Sequence, residues 1–269
     1  KMPELPEVET IVRALQANVG ASINSIEVRR EDILRLQEFS VLELQGQNIK
    51  NIRRRGKFLI FELGRDLNLI FHLGMSGRFY MLASAEEPAE KHVHVIVHLN
   101  NGINLVYQDP RRFGGVWLVK ERERFFRNMG REPLSPDFSA TYLEDILKYR
   151  KAPVKNLLLN QNLISGIGNI YADESLFAAG IRPDRPAGSL SRQDIKKLHR
   201  SIRKVLRQGI ELRGTTFRDY RDAFNESGGF QDYLKVYGRH NQPCPQCGQP
   251  IERIRIGGRS THFCTNCQR

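Results

Sequence analysis

The run Phe58-Leu59-Ile60-Phe61-Glu62-Leu63-Gly64-Arg65-Asp66-Leu67-Asn68-Leu69-Ile70-Phe71-His72-Leu73 decides the fold class. It holds two short apolar stretches, 58–63 and 67–73, rich in branched and aromatic side chains. Gly64-Arg65-Asp66 between them is a turn, so the pair reads as adjacent strands, each too short for a helix. Working outward, the same pattern recurs at 23–28, 79–82, 93–99, 103–107 and 116–119, with Asn100-Asn101-Gly102 as a second turn. Many short strands with regular turn signals predict a β-sandwich or barrel.

The flanks differ. Val8, Ile11, Val12 and Leu15 recur at helical spacing and predict a first helix over 7–15. Between 128 and 139 the pattern breaks at Gly130, Pro133 and Pro136, which reads as a linker. Beyond it the spacing predicts helices over 142–149, 153–159, 169–179 and 192–212, the last with Ile195, Leu198, Ile202, Val205 and Ile210 on one face. The chain is therefore expected to be α+β, in three segments. These are a β-sandwich with its N-terminal helix over 1–130, a helical domain over 131–236, and a cysteine-bounded hairpin over 237–269.

With 269 residues, 40% of them hydrophobic, the chain can bury real cores in more than one domain. Its 42 Lys and Arg against 30 Asp and Glu give a formal charge of +12. That balance calls for an anionic partner, nucleic acid first and an acidic membrane surface second. No apolar run approaches the ~20 residues that span a bilayer, and the start lacks the layout of a signal peptide, so an intracellular protein is expected.

All four cysteines lie at or beyond position 244, as Cys244-Pro245-Gln246-Cys247 and Cys264-Thr265-Asn266-Cys267. Two Cys-x-x-Cys knuckles separated by residues 248–263 match the four-cysteine zinc pattern, because each pair can turn both thiolates to one tetrahedral ion. Between them, 251–256 and Gly257-Gly258 supply a strand and a hairpin turn. Arg239, Arg253, Arg255, Arg259 and Arg269 face only Glu252 in charge over this segment. Arg259, just past the tip, either reaches into nucleic acid or is a solvated turn arginine.

Three other places carry chemistry. If Met2 is the start and is removed, Pro3 becomes a secondary amine with a pKa near about 8, able to attack an aldehyde-like carbon and form an iminium beside the acid Glu4. With Lys1 and Met2 attached, Pro3 is an ordinary amide, and Pro3 and Pro6 merely shape a helix entry. Gly166 and Gly168 precede a helix beginning near Asn169, a geometry that suits either a phosphate or close helix packing. Lys57 ends the basic turn Arg53-Arg54-Arg55-Gly56 and can stand beside a departing phosphate or simply in water. On pattern alone, Met75 and Phe113 read as core at strand ends.

Taken together, PELPEVET at 3–10, RRGKFLIF at 54–61, HLGMSG at 72–77, DPRRFG at 109–114, GIGNIYADESLF at 166–177 and the ending THFCTNCQR resemble bacterial formamidopyrimidine-DNA glycosylases in order along the chain. The resemblance implies an N-terminal β-sandwich, a helix-two-turn-helix domain and a β-hairpin zinc finger holding one structural Zn2+, with DNA in the cleft between domains. It implies base-excision repair of 8-oxoguanine and formamidopyrimidines in double-stranded DNA by a monomeric, cytoplasmic bacterial enzyme. By motif, Pro3 is the nucleophile on C1′, Glu4 its acid/base partner, Lys57 the group for β-elimination and Arg259 the group for δ-elimination.

Further residues carry over. Glu7 orders the helix end near the sugar, and Met75, Arg111 and Phe113 fill the space left by the flipped base. His92, Arg150, Lys155 and Asn169 are implied phosphate or lesion contacts. Val93 stands where the family often has an acid. The segment 217–230 corresponds to the loop covering the flipped base. Two rivals remain at this point. One is an endonuclease VIII-like glycosylase for oxidised pyrimidines, against which Leu5 and the Met75, Arg111, Phe113 set argue. The other is a catalytically blocked lesion-binding form in which Lys1 and Met2 stay attached.

Overall fold

The computed structural model describes residues 2–88, 91–216, 221–224 and 226–269. They form two compact units. The first comprises residues 1–128 and 212–231, the second 129–211 and 232–269.

The first unit is a two-sheet sandwich with a helix packed on it. Helix α1 (Leu5–Leu15) carries Pro6 near its start, where a missing N–H costs nothing. The strands are β1 (Ile23–Val28), β2 (Leu34–Gln37), β3 (Ile49–Arg55), β4 (Phe58–Leu63), β5 (Asn68–His72), β6 (Arg78–Ala83), β7 (Val93–Leu99), β8 (Ile103–Gln108) and β9 (Gly115–Val119). One sheet runs β1-β7-β8-β6 and the other β2-β9-β5-β4-β3. All pairings are antiparallel except β2 with β9.

Side chains alternating inward from both sheets meet the apolar stripe of α1. Val8, Ile11 and Leu15 join Leu59, Phe61, Phe71, Phe79, Leu105 and Tyr107 in one core. The outer face of the five-stranded sheet carries Ile60, Ile70 and Val119. It is covered by Phe125 and Phe126 of the short helix α2 (Arg122–Phe125) and its cap, edge-on to Phe58. Neither β2 nor β3 was expected from the pattern. Both are edge strands, and in β3 only Ile49 and Ile52 are buried, at a spacing that does not alternate because the register shifts beside Ile49.

The second unit contains α3 (Ala140–Leu147), α4 (Val154–Leu158), α5 (Asn169–Ala179) and α6 (Arg192–Glu211), followed by the hairpin β10 (Glu252–Ile256) and β11 (Arg259–Phe263). Every residue of α5 from Ile170 to Phe177 is buried, so this helix is the centre of the unit. Gly180 ends it in the left-handed conformation. The hairpin packs with the helices, the His262 N–H of β11 donating to Asp173 of α5 at 2.9 Å, and Glu174 of α5 accepts hydrogen bonds from the N–H groups of Lys235, Val236 and Tyr237, which precede the hairpin, at 2.8–2.9 Å. Residues 212–231 follow α6 in sequence but pack with the sandwich. The Met81 N–H on edge strand β6 donates to the Ala223 carbonyl, and an edge strand's open backbone groups draw such pairing. Fold class and order of elements are those expected, an α+β chain of sandwich, helices and hairpin.

Candidate active site and metal centre

In the sandwich unit the buried N-terminus of α1 gathers Pro3, Glu4 and Glu7. Glu4 occupies the N-cap, with its N–H donating to Glu7 Oε2 at 2.9 Å in a capping box. The other Glu7 oxygen accepts the Thr215 N–H at 2.7 Å. Gly214 has φ +80°, and a Cβ there would lie 2.8 Å from Glu7 Oε1, so only glycine lets the 214–215 backbone reach this carboxylate. Lys57 sits in the two-residue turn between β3 and β4, after Gly56 at φ +57°. Its side chain is buried rather than solvated, and Nζ lies 3.9 Å from Met2 Sδ, which places the ammonium beside the start of the chain.

Met75, Arg111 and Phe113 lie on two neighbouring loops, and each projects into solvent. Phe113 is 63% exposed, so this ring is not core. The Arg111 guanidinium lies 5.7 Å from the Phe113 ring centroid. The loops are fastened from beneath. Asp109, with no exposed surface, accepts the Ser76 hydroxyl at 2.6 Å and the Gly114 N–H at 2.9 Å. Ser76 in turn accepts the Arg111 N–H at 3.1 Å. A Cβ at Gly74 would meet Gly114 N at 2.4 Å, so the loops touch backbone to backbone.

His92 projects its side chain outward from a left-handed backbone at φ +68°, while its carbonyl accepts the Asp109 N–H. His72 ends β5 with Nδ1 accepting the Gly74 N–H at 3.1 Å. Its pKa is lowered to about 4 by burial and then by the Lys57 charge, against a smaller opposing pull from Asp109. It is therefore neutral at pH 7 and can serve as an acceptor. Sequence reading singled out neither Ser76, Asp109 nor His72. The signal available was that all three stand inside the motifs at 72–77 and 109–114.

In the helical unit Asn169 opens α5, and its Nδ2 donates to the Ser260 carbonyl at 2.9 Å. Arg259 is exposed at the first position of β11. Arg150 is exposed, with its backbone carbonyl accepting from Gly188 at 2.8 Å. Lys155 is different from the phosphate contact implied by resemblance. Its side chain has no exposed surface; Nζ lies 2.6 Å from Asp173 Oδ1 and donates to Thr261 Oγ1 at 2.8 Å and the Ser260 carbonyl at 3.2 Å. An ammonium so enclosed ties α4 to α5 and the hairpin and does not face a ligand here. Asp173 Oδ2 also accepts the His262 N–H at 2.9 Å. Sequence reading missed Asp173 and Glu174, whose apolar surroundings in the motif hid their burial. Of the expected covering loop at 217–230, residues 217–220 and Asn225 lie outside the described residues.

The four cysteine sulfurs lie within 4.8 Å of one another. Cys244 Sγ and Cys267 Sγ are 3.9 Å apart and Cys247 Sγ and Cys264 Sγ 3.5 Å. A tetrahedral zinc with Zn–S bonds of about 2.3 Å needs sulfurs about 3.8 Å apart. The residues fit the ion, and a thiolate set with no oxygen ligand suits zinc rather than calcium or magnesium.

A buried carboxylate pair and lysine at a helix start, an exposed cluster of three side chains, and a basic hairpin with four clustered cysteines are features consistent with a DNA-repair enzyme of the helix-two-turn-helix glycosylase class. The comparisons with known proteins agree. Residues 2–116 match the formamidopyrimidine-DNA glycosylase N-terminal domain, 129–221 the helix-two-turn-helix domain of the same enzymes, and 241–269 the zinc finger found in them and in isoleucyl-tRNA synthetase. The formamidopyrimidine-DNA glycosylase of Syntrophomonas wolfei is 57% identical over 267 residues, covering 99% of this chain and all of that one. Wild-type Lactococcus lactis Fpg bound to DNA containing N7-benzyl-Fapy-dG superposes with a TM-score of 0.91 at 39% identity, covering 99% of each chain. The same protein on DNA containing an oxidised pyrimidine gives a TM-score of 0.91 at 38% identity, again over 99% of each. The chain belongs to the formamidopyrimidine-DNA glycosylase family and is a glycosylase of damaged bases in DNA repair. No helix among the described residues is long and apolar enough to cross a membrane.

Proposed function

We propose that this chain removes 8-oxoguanine and formamidopyrimidines from double-stranded DNA through a Schiff base on Pro3 and then cleaves the strand by β,δ-elimination. The reading rests on the buried convergence of Glu4 and Lys57 at the start of α1, with Lys57 Nζ against the residue preceding Pro3. Freed as the N-terminus, the Pro3 nitrogen attacks C1′. The glycosidic bond breaks with its electron pair leaving on the base, Glu4 moves protons between the amine and the ring oxygen, and opening of the sugar leaves an iminium.

The iminium acidifies the C2′ hydrogen. Lys57 serves the loss of the 3′ phosphate and Arg259 the loss of the 5′ phosphate, each supplying positive charge to a departing oxyanion. Met75, Arg111 and Phe113 fill the vacated stack, with Arg111 able to hydrogen-bond the orphaned cytosine. Glu7 fixes the helix end, while His92, Arg150 and Asn169 hold phosphates. One zinc per chain keeps the hairpin folded. Each copy carries the whole residue set, so the enzyme acts as a monomer, in the bacterial cytoplasm on the nucleoid.

The test is borohydride trapping on a duplex with one 8-oxoguanine opposite cytosine, followed by peptide mapping. An adduct on Pro3 is the expected result. An adduct on a lysine, or excision of thymine glycol in clear preference to 8-oxoguanine, would sink the reading. The Lactococcus lactis complex with an oxidised pyrimidine makes that second comparison the sharper one. Intact mass read on the same sample separates the blocked form, since a chain retaining Lys1 and Met2 has no amine at Pro3.

A further inference from the structure

Helix α6 places Lys196, Arg200, Lys204 and Arg207 within an arc of about 80°, with Lys197 at its margin, at about 100° per residue. The four span about 16 Å along the axis at about 1.5 Å per residue. All five side chains are exposed. Among the described residues no carboxylate ion-pairs with any of them, whereas Arg13, Arg30, Lys148 and Arg192 each have an acid at 2.6–3.3 Å. Asp194 and Glu211 are the acids of this helix, and they lie at its ends.

The arrangement is one a free helix would avoid. Lys196 with Arg200, and Arg200 with Lys204, are like-charged pairs four residues apart, and each costs about 0.2–0.5 kcal/mol. Arg203 adds to the crowd from the flank. Its pKa is lowered, first by burial and then by Arg207, although its guanidinium donates to the Pro133 and Ser135 carbonyls at 2.9 Å. A polyanion laid along the stripe would relieve every one of these pairs at once.

The stripe is also separate from the hairpin that carries Arg259. On α5, Tyr171 packs on α6, where a Cβ at Gly209 would meet its ring at 2.5 Å. Asp173, about 200° further round α5, receives the hairpin through His262. Helix α6 and the hairpin therefore flank α5 on opposite sides, and the basic stripe lies on the side of α6 away from its buried Ile195, Leu198, Ile202, Val205 and Gly209.

We propose that this face of α6 binds the sugar-phosphate backbone of a second, undamaged stretch of duplex while the lesion site is occupied. Such a contact hands the enzyme from one segment to another without release into solution. The proposal is independent of the nucleophile assignment. Duplex is favoured over an acidic peptide because the stripe offers cations at regular intervals and no apolar side chain among them for a peptide to anchor on.

The protein is first saturated with a short duplex carrying a tetrahydrofuran abasic analogue, and a labelled lesion-free duplex is then titrated in. The expected result is a second binding event whose log affinity falls with log salt at a slope of about −3 to −4, for about four phosphates. Combined Lys196→Gln, Arg200→Gln, Lys204→Gln and Arg207→Gln should weaken that event at least tenfold, with loading of the first duplex changed less than twofold. A variant with Arg200→Lys and Arg207→Lys should keep it, which guards against loss of the helix. A stoichiometry of one in the unaltered protein, persistence in the Gln variant, or displacement of the second duplex by polyglutamate would overturn the proposal. Failure of the lesion-site reading would show instead as no loading of the first duplex.

Discussion

Glu7 and Thr215 stand 208 residues apart in sequence and share a hydrogen bond of 2.7 Å, from the Thr215 N–H to Glu7 Oε1. With the Glu4 N–H on the other oxygen, one buried carboxylate holds the cap of α1 and the returning segment together. Glu7→Ala should strand two buried N–H groups and cost about 2–6 kcal/mol, at about 1–3 for each. Urea denaturation gives the loss, and hydrogen exchange at the Thr215 amide should accelerate well beyond that of the sheets. An exchange rate at Thr215 rising only in step with the sheets would mean that the bond contributes nothing local.

Ser76 links the loops that carry Met75, Arg111 and Phe113, the proposed wedge, giving its proton to Asp109 and accepting the Arg111 N–H. Ser76→Ala leaves both partners buried or part-buried without their bond. The expected consequence is looser placement of Met75 and Arg111. Single-turnover excision of a paired lesion should slow about tenfold, equivalent to about 1.4 kcal/mol, while cleavage of a preformed abasic site changes little. Equal slowing of both reactions would show a general defect rather than a wedge defect.

His72 has a folded pKa of about 4 against an ordinary 6.5. Between those values the unfolded chain binds the extra proton, so stability rises with pH through the window, is complete above about 6.5, and is lost as pH falls toward 4. The full effect is about 3 kcal/mol at most. His72→Gln should flatten this part of the stability profile, measured as urea midpoints from pH 4 to 7. Unchanged slope in the variant would assign the acid sensitivity to other groups.

Lys155 and Asp173 form a fully enclosed ion pair. Lys155→Met should lose about 3–5 kcal/mol by leaving the carboxylate buried and unpaired. Adding Asp173→Asn should recover more than half, since an amide oxygen can still accept the His262 N–H. Because the ammonium is enclosed, the salt dependence of DNA binding by the folded variant should match that of the parent. A slope reduced by about one would instead identify Lys155 as a phosphate contact.

Strands with uninterrupted apolar runs, such as Phe58–Leu63 and Val93–Leu99, were readable because both of their faces are covered. The edge strand Ile49–Arg55 was not, since its polar side meets water and a register shift breaks its alternation. The cysteine spacing announced the metal site because thiolates have few other uses at that interval. Lys155 shows the opposite case. Its charge reads as surface, and only the fold reveals the acid, Asp173, that permits its burial. Likewise Phe113 reads as core, yet the loop that carries it projects the ring outward.

The return of residues 212–231 to the sandwich also sets a timetable for synthesis. At about 5–20 residues per second, Thr215 leaves the ribosome about 10–40 s after Glu7. Once residue 119 has emerged every strand of the sandwich exists, but the partner for Glu7 and the strand-edge cover at Met81 do not. A newly made chain therefore lacks the bond that fastens the start of α1 to the returning segment until residue 215 has emerged.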